Sequence, residues 1–540
     1  MNIENMKMHK QSKLIQDYRD RKESIFTHFV YDPFQLKSYQ KRLEFISNRH
    51  YKREELVSVL LEQNRKWGLH KSVENQINRL KDPTSTVVIG GQQAGLLSGP
   101  IYTIHKIISI ILQAKEQEEH LQTPVIPVFW IAGEDHDFEE INHVMKYQNL
   151  SLKKHKVVDR EDSKYPVSDR QLDQKEIATW VDEYFKSLQE TAHSKKLYEN
   201  IMAVAERSET YVDFFAILIS DLFEEEGLVL VDSNDETIRQ LEIEYFIKMV
   251  ELQEELASFV VERKNQLVTN DYHIDLDVSK EDAHLFYHYE GERLLLSVTK
   301  NGFVSKDEGV SFTKEELIEE IKNHPQRFSN NVVTRPIMQE MVFPVLSFVG
   351  GPGEIGYWAA LKDAFRCMDL KMPIVTPRLS ITLTLPKHQG WMSDLGMRAE
   401  DIVSEGTSSQ KMSWLRSQSS VPLDEMFQEM KAELTRIHQP LQDVANELSP
   451  DMGELSKTNE NKIIRELDYL EQRMERHIKL QHKNVIEKFD ELNVYYYPDR
   501  GLQERTWNLI HFMNQYGTDL PKKLLEIPPR WEQDHLIIHL

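Results

Sequence analysis

An α/β fold is predicted: a parallel sheet with helices on both faces, interrupted by inserted segments and followed by an antiparallel helical hairpin. Two observations carry this. TVVIG at 86–90, PVIPVFWIAG at 124–133, GLVLVDSND at 227–235, FPVLSFVGG at 343–351 and MPIVTPRLSITL at 372–383 are short runs rich in β-branched or aromatic residues, bounded by Gly, Pro or Asp. Most are followed by a helical pattern, and near-continuous apolar strands alternating with helices mark a parallel sheet covered on both faces. Beyond residue 386 the period changes to that of amphipathic helices.

In chain order, the first ~80 residues read as polar, charged helices. The five strand runs then place a sheet domain over residues 1–385, with inserted segments at about 150–225 and 240–335 where strands and helices stop alternating. Over 386–498, Leu423, Met426, Met430, Leu434, Ile437, Leu441, Val444 and Leu448 step by three or four. After SPDMGELS at 449–456, read as a turn, the stepping resumes through Ile463, Leu467, Leu470, Met474 and Ile478, then Val485, Phe489 and Leu492. Two such helices form an antiparallel hairpin that buries little alone, so a second copy across a two-fold axis is the expected partner, and packing onto its own core is the alternative. Residues 499–540 read as a segment returning to the core.

The 540 residues exceed what one hydrophobic core supports. Sixty-six basic against 88 acidic residues give a formal charge of −22, which disfavours nucleic acid as a partner. Small anions are still within reach, because they need only a few local cations and backbone N–H groups. No apolar run approaches the roughly 18 residues that span a bilayer. MNIENMKMHKQSKLIQDYRD has no signal-peptide core, so no membrane contact and a cytoplasmic location are expected. A single cysteine, Cys367, leaves no disulfide framework and no cysteine-cluster zinc site, and it carries no local signature of a nucleophile. A G-x-S-x-G elbow is also absent.

Eight of the 20 glycines fall in two loops, each after an apolar strand. In GGQQAGLLSGPIYTIHK, Gly90, Gly91, Gly95 and Gly99 surround Gln92 and Gln93, and Pro100 is a favourable first helical residue. Loop N–H groups there converge on the positive end of a helix, a cradle for phosphate or carboxylate, with Tyr102, Thr103, His105 and Lys106 in the first two turns. The spacing is neither GxGxxG nor GxxxxGK[ST], and tight helix–strand packing accounts for the same glycines. FVGGPGEIGYWAALKDAF repeats the design with Gly350, Gly351, Gly353 and Gly356, and puts Glu354 and Tyr357 at the start of its helix. Both loops belong at the carboxyl edge of an open parallel sheet, where ligands bind.

A third loop, AGEDHDFEEINH, sets Glu134, Asp135, His136 and Asp137 directly after a strand. Such a group can hold the Mg²⁺ of a nucleotide, bind an ammonium or act as general acid and base. Helix capping accounts for one of the four. A zinc site through His136 and His143 is a lesser option. Arg335 and Arg378, near strand ends, suit a carboxylate or phosphate, or a structural ion pair. Asp232 suits a ribose hydroxyl or a turn. Arg500, Gln503, Glu504 and Arg505 in YYYPDRGLQERTWN suit a nucleotide or a dimer contact, and KMS at 411–413 is too short to carry weight.

GGQQAGLLSGPIYTIHK, PVFWIAGEDHDFEEINH, FPVLSFVGGPGEIGYWAALK, MPIVTPR and YPDRGLQERTWN, in this order and spread over essentially the whole chain, resemble the bacillithiol biosynthesis cysteine-adding enzyme family, BshC. The resemblance implies a Rossmann-like core of the class I nucleotidyltransferase kind, with connecting-peptide insertions and a coiled-coil dimerisation domain. It implies a ligase that adds L-cysteine to the amine of glucosaminyl-malate through an amide, with ATP and Mg²⁺ as the expected means of carboxyl activation. In that frame His105 and Lys106 stand where synthetase-like folds carry signature residues. Glu134, Asp135, His136 and Asp137 face the cysteine ammonium or the sugar amine, and Arg335 and Arg378 face malate. No resident metal is expected, since the cysteine-ligated zinc that cysteine-activating synthetases commonly use has no counterpart here. Another nucleotide-dependent transferase on this fold, or a noncatalytic pathway organiser, are the alternatives.

Overall fold

The computed structural model describes residues 2–158, 165–306, 309–418 and 422–540. The chain divides into two units: residues 1–148, 152–385 and 504–540 form the first, and 386–503 with 149–151 form the second.

The first unit is built on five parallel strands, β1 (Thr86–Gln92), β2 (Val125–Ile131), β3 (Val229–Asp232), β4 (Val345–Gly350) and β5 (Ile374–Pro377), in the order β5-β4-β1-β2-β3. β2 is buried along its whole length, as a strand covered on both faces must be. Strand order reverses between β1 and β4, so the two glycine-bearing loops follow the adjacent strands that flank the topological switch point. Four helices frame this edge: α1 (Tyr102–Leu121), α2 (Glu236–Glu251), α3 (Thr334–Val342) and α4 (Pro352–Trp358).

Three local expectations are corrected. MPIVTPRLSITL is two strands rather than one, because Ile381–Thr384 leaves the main sheet to pair with His535–His539, which also pairs with Asn2–Met6. The break is made at Leu379, whose N–H donates to Ser109 Oγ at 2.9 Å. Gly90, Gly91 and Gln92 are strand residues, since β1 runs on to Gln92. Pro100 is not the first helical residue. It bridges to Asn508, while Leu97, Ser98 and Gly99 all take positive φ, and α1 starts at Tyr102. The Asn508 side-chain amide donates to the Leu97 and Gly99 carbonyls, both at 2.7 Å, and the Ile101 N–H donates to the Trp507 carbonyl. The loop's shape is therefore held by the C-terminal segment.

Helices Gln174–Ser187, Ser194–Arg207 and Tyr211–Leu222 occupy the first inserted region. The second contains more than the helical and mixed stretches expected. Its Asp282–Tyr289, Glu292–Thr299 and Gly302–Ser305 lie side by side in an antiparallel sheet completed by Ser311–Phe312 and Phe328–Asn330. Glu290–Gly291 and Asn301–Gly302 mark its turns, a hairpin signal legible in sequence.

In the second unit, α5 (Leu423–Leu448) and α6 (Pro450–Gln481) form the hairpin and α7 (Lys483–Tyr496) follows. The turn expected over 449–456 is Ser449 alone. Its hydroxyl accepts from the Met452 N–H, Pro450 takes the first helical position, and Gly453 lets α6 cross close over Asn446. Buried between the two helices are Ala445, Gly453, His438 and Glu460, tied by contacts such as His438 Nε2 with Asn459 at 3.2 Å. Much of the apolar stripe instead faces outward: Ile437 and Leu441 are each 62% exposed and Leu448 is 71% exposed.

Candidate functional site

Lys106 projects from the second turn of α1 and is buried. Its ammonium donates to the Gly91 carbonyl at 2.7 Å, to Gln92 Oε1 at 3.1 Å and to Glu354 Oε2 at 2.6 Å. Three protons meet three acceptors, two from the end of β1 and one from α4. Glu354 in turn accepts the Gly351 N–H at 2.8 Å, closing the first turn of α4. Burial pulls the Lys106 ammonium below its ordinary pKa, and Glu354 opposes that pull. Lys106 thus clamps the two glycine-bearing segments across the switch point.

The glycines at this edge have mixed reasons. A Cβ on Gly91 would stand 2.6 Å from the Trp130 carbonyl, and one on Gly95 would stand 2.6 Å from the Gly99 Cα. The Gly95 and Gly99 N–H groups are spent on Gln93 and Leu96 carbonyls. Close backbone packing therefore accounts for much of the first cluster. In the second, Gly350 ends β4, Gly351 caps α4, and Gly353 is exposed with open space around it. Thr103 is buried in the first turn of α1, and Tyr102 lies half-buried with the Arg378 guanidinium 5.8 Å from its ring centre.

Glu504 organises a second knot. Its carboxylate accepts both Nη groups of Arg378 at 2.8 Å, His105 Nδ1 at 2.8 Å, Ser380 Oγ at 2.9 Å and the Ile381 N–H at 3.2 Å. Burial pushes Glu504 up, but Arg378 and His105 override it and hold the carboxyl well below the ordinary range. Burial lowers His105, so the imidazole is neutral and donates a hydrogen bond. His105 is fully buried and Arg378 nearly so, and both are engaged by Glu504.

The acidic loop does not present four free groups. Glu134 is buried and paired with Arg239, whose Nη1 also donates to Glu242 at 2.6 Å. Asp135 accepts from Gln93 Nε2 at 2.7 Å and from the His136 N–H at 2.8 Å, and Arg293 Nη1 stands 3.6 Å away. Burial raises the Asp135 carboxyl, but Gln93 and Arg293 bring it below its ordinary value, so it is ionised near neutrality. His136 is half-buried beside it, and Asp137 is exposed at the start of a short helix without a side-chain cap bond. Asp232, at the end of β3, accepts from Ser168 Oγ at 2.7 Å and from the Asn234 N–H at 3.0 Å, and burial pushes its carboxyl up to about 7. Among the described residues no group of three or more His, Cys, Asp or Glu is placed to hold a metal ion.

Arg335, in the first turn of α3, donates to the Tyr357 hydroxyl at 2.5 Å. Arg505 is exposed. Arg500 and Gln503 belong to the second unit, the former exposed and the latter buried with its amide donating to the Tyr495 carbonyl at 3.0 Å. The first unit thus gathers Lys106, Glu354, Gln93, Asp135, Arg335 and Tyr357 around the carboxyl edge. Arg239 and Arg293 were not singled out in sequence, because a lone arginine in a helix or a strand carries no local mark of its partner.

Residues 1–379 match the family model described as the N-terminal Rossmann-like domain of bacillithiol biosynthesis BshC, and 381–540 match that of its C-terminal coiled-coil domain. Relatives from Oceanobacillus iheyensis and Halalkalibacterium halodurans are each 38% identical, over 534 and 527 residues, with 98% of both chains covered. One from Bacillus cereus is 38% identical over 530 residues with the same coverage. All three bear the name "Putative cysteine ligase BshC". No helix among the described residues is long and apolar enough to cross a membrane.

Proposed function

The chain belongs to the BshC family of bacillithiol biosynthesis, and from that premise we propose that it joins the carboxyl carbon of L-cysteine to the glucosamine nitrogen of glucosaminyl-malate. It is a ligase forming a carbon–nitrogen bond, in keeping with the name cysteine ligase that its relatives bear. A free carboxylate does not acylate an amine at neutral pH, and ATP as co-substrate would turn one carboxylate oxygen into part of a phosphate leaving group. The amine then attacks the carbonyl carbon, the phosphate-bearing group leaves with that oxygen, and one proton passes from nitrogen to a base.

The observation that carries this reading is the clamped switch point. Lys106 fixes the ends of β1 and β4 against each other, and an ionised Asp135 stands on the neighbouring strand end. We assign Asp135 to the substrate amine, as its counter-ion or proton acceptor, with His136 beside it. We put the phosphate-bearing co-substrate at Gly353, which is exposed in the first turn of α4 and would meet nothing within 4 Å of an added Cβ. A Mg²⁺ carried by those phosphates needs only one or two carboxylates, for which Asp137 is at hand. Cysteine and ATP supply place the reaction in the cytoplasm.

The test is incubation of the purified protein with L-cysteine, glucosaminyl-malate and Mg-ATP, read by mass spectrometry. The expected product is the cysteinyl amide, with AMP or ADP released in equal amount to report the activation step. Nucleotide transferred to the sugar, or no amide under any nucleotide, would reject the ligase reading.

The protein acts as a homodimer in this reading, through the outward stripe of α5 and α6. A protein that left Ile437, Leu441 and Leu448 in water would expose an unusually long apolar face. Light scattering is expected to give twice the 63.6 kDa chain mass. A double change, Ile437→Glu with Leu441→Glu, should halve the mass. A wild-type monomer would reject the dimer.

A further inference from the structure

Four arginines stand around the carboxyl edge or directly behind it, and they are not equivalent. Arg378 has both terminal nitrogens on Glu504, and Arg239 is shared by Glu134 and Glu242. Those two charges are matched. Arg335 is half-buried and meets no carboxylate within 4.0 Å among the described residues; its guanidinium donates to the neutral Tyr357 hydroxyl. Arg293 is held from behind by Ser329 Oγ at 3.1 Å and the Asn330 carbonyl at 2.9 Å, and its guanidinium lies 3.9 Å from the Phe286 ring centre. This leaves Nη1 facing Asp135 at 3.6 Å, beyond hydrogen-bond length. Arg293 is only 8% exposed. Glu354 acts on Arg335 only from a distance, its carboxylate being engaged by Lys106.

Neither guanidinium is hydrogen-bonded to a carboxylate: Asp135 stands 3.6 Å from Arg293, and Glu134 and Glu354 act on the pair only from beyond ion-pair distance. The outward N–H groups of both arginines are therefore left to a planar anion that can accept from them. We infer that Arg293 and Arg335, with the Tyr357 hydroxyl, form the anion subsite of this edge and take the two carboxylates of the acceptor's malyl group, a role in which Arg378 has no part. The assignment of the malyl group rests on the ligase reading. The guanidinium fork matches a planar carboxylate in a bidentate way. Phosphate shares the chemistry, but a triphosphate brings more negative charge beside Asp135 than two carboxylates do. The nearby His288 ring sits on Ser329 Oγ at 2.8 Å, so it supports the Arg293 side of the subsite without adding an anion.

The experiment is isothermal titration of the full-length protein with three probes: glucosaminyl-malate, methyl glucosaminide, which lacks the malyl group, and ATP. Arg335→Gln and Arg293→Gln are expected to weaken glucosaminyl-malate by about tenfold or more. Both should leave ATP within about twofold and leave the weak binding of methyl glucosaminide unchanged. Arg335→Lys, which keeps the charge but loses the fork, should fall between wild type and Arg335→Gln and also guards against misfolding. Unchanged glucosaminyl-malate binding in both glutamine variants would overturn the subsite. A loss confined to ATP would overturn it in favour of phosphate. If wild type forms the amide while the variants bind normally, only the subsite falls. If wild type binds no glucosaminyl-malate at all, the ligase reading falls with it.

Discussion

A Glu504→Ala variant is expected to lose about 3–5 kcal/mol of stability in the first unit, the cost of breaking a buried ion pair from one side. Alanine would leave the Arg378 guanidinium buried without its anion, and would also strand His105 Nδ1 and the Ile381 N–H. It would loosen the segment whose Asn508 shapes the glycine-bearing loop. Scanning calorimetry checks this, with the hairpin unit's transition as internal reference. Glu504→Gln should fall between, keeping some of the acceptors' geometry without the charge. The pH dependence has a definite sign. Because Arg378 and His105 depress the folded-state pKa of Glu504, its stabilisation is complete above the unfolded value of about 4.3 and is lost as pH falls from there towards the folded value. Wild type should therefore destabilise more steeply than Glu504→Gln below about pH 4.3. Equal slopes, or a thermally neutral Glu504→Ala, would show that the knot is not what anchors the C-terminal segment.

Lys106→Met should leave the fold recognisable but lower kcat/KM for amide formation by about 100-fold, about 2.7 kcal/mol in the transition state. Methionine fills the volume, yet the Gly91 carbonyl, Gln92 and Glu354 lose their common donor and the two strand ends flanking the switch point come apart. Lys106→Arg should not rescue, because a planar fork cannot direct three protons to acceptors grouped around one nitrogen. As a positioning residue Lys106 should affect kcat and KM together, whereas Asp135→Asn should act mainly on kcat. The lysine's burial adds a further reading: wild-type activity should fall on the alkaline side below the ordinary lysine value of about 10.4, as Lys106 loses its proton. That limb should be missing from the residual activity of Lys106→Met. Full activity in Lys106→Met would show that the strand ends are held by other means.

Elements governed by local pattern were legible in the chain. β2 could be read because every residue in it is buried, so no polar position interrupts the apolar run. α5 and α6 could be read because apolar residues repeat at helical spacing, although the turn was overestimated: Pro, Gly and Asp near 450–456 look like a loop unless Ser449 is seen to cap and Gly453 to permit a close crossing. The antiparallel sheet of the second insertion was missed where its strands are half-exposed and charged, which dilutes the apolar alternation.

The strand runs, the glycine-rich segments that follow two of them, the acidic residues after a third, and the change to helical period beyond them are all legible in the chain alone. These are properties of backbone conformation and burial, and neighbours a few residues apart decide them. Only the tertiary structure decided which polar groups are spent and which are left over. Lys106 finds Glu354 248 residues away, and His105 finds Glu504 399 residues away. Arg378 looked like a substrate contact and is matched by Glu504, while Arg293 carried no mark and stands 3.6 Å from Asp135 without a hydrogen bond to it. A side chain's charge is written in its residue type, but its availability depends on whether the fold brings an opposite charge within a few ångströms, and no local period encodes that.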